Sequence, residues 1–108
     1  MIKHLFIKNY ILIDELELDF DPKFNAIIGE TGAGKSIIIS AIDIAFGAKA
    51  SGKDVIKKNE TSAIIEVVLN LNDNFNKNIL IDNGITDFDN EIVLSREITQ
   101  SSSRCRIN

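Results

Sequence analysis

Gly29, Glu30, Thr31, Gly32, Ala33, Gly34, Lys35 and Ser36 follow one another in the order G-x-x-x-x-G-K-[ST]. Each fixed residue type in that order has work to do on a phosphate chain. Glycines let the backbone turn tightly and approach an anion with no Cβ in the way. The turned amides form a nest of N–H donors. A helix opening directly after them adds its unpaired N-terminal amides and the positive end of its dipole. Lys35 can reach the β- and γ-phosphates as a point charge. Ser36 can offer its hydroxyl to Mg²⁺, whose other ligands are water and phosphate oxygen. All eight residues are therefore candidate ATP-binding residues, Lys35 the candidate catalytic group and Ser36 the candidate metal ligand. In a chain of this composition the four fixed positions would coincide by chance about 0.3% of the time.

Such a loop needs a strand before it and a helix after it. The apolar run 24–28 ends on Gly29 and predicts the strand. Residues 37–46 are apolar over a helical length and meet Gly47, a plausible C-cap. Ile37, Ile38 and Ile39 are β-branched and prefer strands, so packing must override their propensity. Ser36, Ser40 and Asp43 form one narrow polar stripe, which predicts a helix buried on most sides.

The remaining elements are read from alternation. Residues 2–10 and 16–20 predict two strands. In the second, Leu16, Leu18 and Phe20 alternate with Glu15, Glu17, Asp19 and Asp21, a solvated acidic face rather than a metal site. Residues 62–71 and 91–99 predict two more strands, Ser101 to Ser103 a hairpin tip, and 104–107 a return strand. There Arg104 and Arg106 take one face and Cys105 and Ile107 the other. A short helix is expected near 75–81. Residues 48–60, with Lys49, Lys53, Lys57 and Lys58, read as a mobile loop with one helical turn. These lysines, and the Arg96, Arg104, Arg106 group, are the only basic clusters. His4 and Cys105 have no second motif to make them functional.

A chain of 108 residues holds one domain or part of one, with residues 1–60 carrying the loop and helix and 61–108 a strand subdomain. The formal charge of −4 argues against a general nucleic-acid surface. One cysteine excludes an internal disulfide and fits a reducing compartment. No leader pattern opens the chain, and no apolar run is long enough to span a bilayer, so a cytoplasmic location is expected. Hydrolysis also needs an apolar strand ending in an acidic residue. Asp82, after Ile79, Leu80 and Ile81, is the only formal candidate, and Asn83 and Gly84 behind it signal a turn. The acid is expected outside this sequence.

Residues 7–18, the loop 29–37, Arg96 to Ile98 and Ser103 to Asn108 together resemble the N-terminal lobe of an ABC-type ATPase head of the SMC-like family, and within it the RecN family. Other SMC-like heads usually carry Pro-Asn where this chain has Glu30 and Thr31. Family members often carry Arg where Lys49 stands, and lysine keeps the charge but not the bidentate geometry. The resemblance implies an α/β P-loop NTPase fold, an incomplete lobe with mixed and antiparallel sheet around the Walker A helix. It further implies ATP and Mg²⁺, a longer chain with a coiled coil, and a second lobe carrying the signature motif, the Walker B acid and the switch histidine. Its implied partners are a second head in a homodimer, recombination proteins, and DNA met mainly through other parts of the protein. Its implied role is double-strand break repair and recombination at the bacterial nucleoid. The rival readings are a RecF-like or other SMC-like head, a small-molecule P-loop kinase, and a non-catalytic remnant. Two strands ahead of the loop argue against the kinase.

Overall fold

Alternating apolar and polar residues build one sheet, and its apolar face receives the helix that follows the glycine-rich loop. The computed structural model describes residues 2–20, 32–71, 78–82, 84 and 90–107. Within them the strands are β1 (Ile2–Tyr10), β2 (Ile13–Asp19), β3 (Ser62–Asn70), β4 (Glu91–Thr99) and β5 (Ser103–Ile107). The helices are α1 (Gly32–Ala45), α2 (Gly52–Val55) and α3 (Asn78–Asp82). The strands form a sheet in the order β2-β1-β3-β4-β5. Every strand pairing among the described residues is antiparallel. The strand expected at 24–28 lies outside the described residues.

Period-two alternation sends one set of side chains to each face. Leu5 and Ile7 of β1, Ala63, Ile65 and Val67 of β3, and Ile92 and Ile98 of β4 are buried. Ala41, Ile44 and Ala45 of α1 and Val55 of α2 cluster with Leu5, Ile7, Ile65, Val67 and Ile98. Each fully buried valine, leucine or isoleucine among them contributes about 1.5–3 kcal/mol relative to exposure. The opposite face is charged. Its register sets Glu15 across from Lys8, and Glu97 across from Arg104.

The strands expected at 2–10 and 91–99 have those bounds, and that expected at 62–71 ends one residue earlier, at Asn70. The second strand begins at Ile13, three residues earlier than alternation alone indicates, because Tyr10 pairs with Ile13 across a two-residue turn. That turn is Ile11 and Leu12, with Ile11 at φ 53. Positive φ at a β-branched residue is an outlier, and such turns normally use glycine or asparagine. Neighbouring chain holds it there: the Ile11 amide donates to the Val55 carbonyl at 2.7 Å, and the Lys57 amide to the Asn9 carbonyl at 2.8 Å. Asp82 ends a short helix and is exposed. It does not terminate an apolar strand, so it cannot serve as the acid of that motif.

Gly52 shows how tightly α2 meets β4. A Cβ built there would stand 2.3 Å from the Thr99 carbonyl oxygen. That oxygen is backbone and cannot rotate away. Gly52→Ala in the intact protein should therefore lose about 1–3 kcal/mol. Urea unfolding measures it, and an unchanged midpoint would show that the two segments do not approach this closely.

Candidate functional site

Helix α1 begins at Gly32, inside the glycine-rich motif, so Lys35 and Ser36 fall at its N-terminal end. Gly29, Glu30 and Thr31 lie outside the described residues. Of Gly32, Ala33, Gly34 and Lys35 only the backbone is described, and Ser36 is exposed. The first helical amides have no intrahelical partner and carry the positive end of the dipole. No acidic residue occupies the first turn. A helix N-terminus of this kind favours negative charge beside it.

The three isoleucines are helical because two of them pack on the sheet. Ile37 and Ile38 lie against the core, whereas Ile39 is 46% exposed. Phe46, just past the helix, is 53% exposed. The expectation of a helix covered on most sides holds: among its described side chains only Ser36, Ile39 and Asp43 are exposed, one narrow stripe, with Ile39 rather than Ser40 on its open side.

Two polar contacts grip the helix. Tyr10, 1% exposed at the end of β1, places its hydroxyl 2.7 Å from Ser40 Oγ. Ser40 donates its one hydroxyl proton to the Ile37 carbonyl at 2.9 Å, so Tyr10 must be the donor between the two. Ser40 is therefore an anchor rather than part of a solvated stripe, while Asp43 is exposed as expected.

At the far end the helix closes in a Schellman motif. The Gly47 amide donates to Ile44 O and the Ala48 amide to Asp43 O, both at 3.0 Å, with Gly47 at φ 110. Arg96 adds the second grip from β4. Its Nη1 donates to Ile44 O at 2.7 Å and to Ala48 O at 3.0 Å, and its Nε to Ser103 Oγ at 2.6 Å. The last turn of α1 has no basic residue of its own. Arg96 brings the cation that the negative end of a helix favours.

This corrects the reading of Arg96 as part of an outward basic group. It is 7% exposed and bonded to protein carbonyls, whereas Arg104 and Arg106 are exposed on the opposite face of the sheet. The lysine segment is held too. Its helical turn is α2, tied to β1 through Ile11 and Asn9 and by a bridge between Tyr10 and Ile56. Lys49, Lys53 and Lys58 are exposed, and Lys57 pairs with Asp14. Neither basic cluster offers its full expected charge to an outside anion.

Glu15, Glu17 and Asp19 are exposed along β2. His4, which had no assigned role, sets Nδ1 2.7 Å from the Asp19 carboxylate and Nε2 3.6 Å from Glu17. Asp21 lies outside the described residues. Cys105 is exposed. Tyr10 and Arg96 are the two residues that sequence reasoning missed. For Arg96 a signal existed: Ile92, Leu94, Arg96 and Ile98 share one strand parity, and three of them are apolar.

The chain matches the model of the AAA domain family over residues 4–106. It is 45% identical over 85 residues to DNA repair protein RecN of Rickettsia felis, covering 79% of this chain and 15% of that protein. To RecN of Synechocystis sp. it is 38% identical over 113 aligned residues, covering 100% of this chain and 19% of that protein. To RecN of Bacillus subtilis it is 36% identical over 110, again covering 100% and 19%. The chain thus spans less than a fifth of the length of these relatives.

Replacing Tyr10 by Phe removes the donor to Ser40 and leaves the packing surface. We expect a loss of about 0.5–1.5 kcal/mol in the intact protein. Making the same change in a Ser40→Ala background should cost markedly less, because the partner is already gone. Equal costs in the two backgrounds would show that the hydroxyls do not interact.

Proposed function

Since this chain belongs to the AAA domain family, with RecN proteins among its relatives, we propose that it is the N-terminal part of an ATP-binding head acting in DNA repair. The observation that carries this is the position of the motif. Gly32 to Ser36, the last five residues of the motif, open α1, where a phosphate chain would meet helix N-terminal amides.

The roles follow from the residue types. The glycines and the amides of Glu30 to Gly34 would cradle phosphate oxygens. Lys35 would neutralise charge at the β- and γ-phosphates, and the hydroxyl of Ser36 would hold Mg²⁺. The ion supplies charge neutralisation across the phosphate oxygens when bound. Asp82 does not provide the water-orienting acid, for the structural reason given above. In this reading the acid, the signature motif and the switch histidine belong to the rest of a protein about five times longer. The complete ATPase would be a pair of heads.

DNA would be met mainly outside this lobe. Its charge is −4, its β2 face is acidic, and Arg96 and Lys57 are occupied within the protein. Duplex affinity scales with the number of phosphates neutralised. Lys49, Lys53 and Lys58, or Arg104 and Arg106, could neutralise only a few. Recombination proteins as partners, and a cytoplasmic, nucleoid-associated location, belong to the same proposal. No helix among the described residues is long and apolar enough to cross a membrane.

Lys35→Ala is the direct test. Losing a charged donor to phosphate should weaken binding of a fluorescent ATP analogue with Mg²⁺ by about ten- to a hundred-fold. The fold should persist, since alanine is the best helix former. Unchanged affinity in a folded Lys35→Ala protein would refute the assignment.

A further inference from the structure

We propose that Arg96 is a positioning residue for nucleotide binding, acting through helix α1 rather than on the ligand; this rests on the reading of the α1 N-terminus as the phosphate site. The first observation is where it lies. Arg96 sits on the core face of β4, between the buried positions Ile98 and Ile92 of the same parity. An aliphatic residue there would avoid the desolvation of a cation. Among the described residues no carboxylate pairs with it.

The second observation is what it holds. One nitrogen, Nη1, bonds the carbonyl of Ile44 in the last turn of α1 and that of Ala48 beyond it. Nε bonds Ser103 at the start of β5. One guanidinium thereby ties the helix end, the segment entering Lys49, and the β4–β5 hairpin. Such a fork has a fixed planar geometry, which a lysine cannot reproduce.

The third observation is the lever. Tyr10 grips α1 at Ser40, near its middle, and Arg96 grips it at Ile44. Eight residues separate Ser40 from Gly32, about 12 Å of helix at 1.5 Å per residue. With the tyrosine contact as pivot, a tilt of about 5° moves the α1 N-terminus by about 1 Å. Displacements of that size are costly at sites that work by positioning. Arg96 is the restraint on the far side of the pivot, and the phosphate site lies at the other end of the beam.

The test uses the intact protein and a fluorescent ATP analogue with Mg²⁺. Measurements are made at a temperature where circular dichroism shows each variant fully native. Arg96→Ala should bind about ten-fold more weakly, and millimolar guanidinium ion should restore part of the loss by filling the vacated fork. Arg96→Lys should fall between the two. A general stability defect would leave the affinity of the folded protein unchanged and would not respond to guanidinium at concentrations too low to denature. If Arg96→Ala does not fold, Arg96→Lys decides, with a few-fold weakening expected. Wild-type affinity in the folded variant overturns the inference while leaving the phosphate site standing. No binding by the unaltered protein overturns the phosphate-site reading and this inference with it.

Discussion

A helix that must aim its N-terminus at an anion cannot be held by that end. The amides there have to stay unpaired and open, so the grip must come from the sides and the C-terminus. In this chain the grip is the packing of α1 on an antiparallel sheet, fastened by the Tyr10–Ser40 and Arg96–Ile44 hydrogen bonds. Much of the remaining structure serves that contact. β1 and β3 supply its apolar floor with Leu5, Ile7, Ile65 and Val67. β4 supplies the arginine. The segment through α2 follows the exit of α1, is hydrogen-bonded to Asn9 and Ile11, and lies close against Thr99 at the end of β4.

The same arrangement explains the distribution of charge. Cations on the inner face are used inside the protein: Arg96 answers a helix C-terminus, and Lys57 answers Asp14. The outer face carries charges of both signs in cross-strand pairs, acidic toward β2 and basic toward β5. Charges of mixed sign spread along a face give no single-sign field.

Strand alternation made most of the sheet legible, because burial on one face only imposes a period of two. Turn chemistry did not. Ile11 occupies a conformation that β-branched residues avoid, and contacts from Val55, more than forty positions away, hold it there. No local rule contains that information. The glycine-rich motif and the helix after it were equally legible, down to Gly47 as the closing residue. The anchors of the helix were not. Tyr10 looked like the end of a strand, and Arg96 like one member of a basic group. Its core parity was visible in the sequence, but which carbonyls it would meet depends on how α1 crosses the sheet.

Hydrogen exchange read by mass spectrometry on the intact protein tests the central claim most directly. With Mg²⁺ and ATP, peptides covering Gly29 to Ser36 should exchange more slowly, because their amides become donors to phosphate. Pyrophosphate with Mg²⁺ should protect the same peptides, and adenosine should not. Nucleotide binding that leaves this segment unprotected would contradict the account.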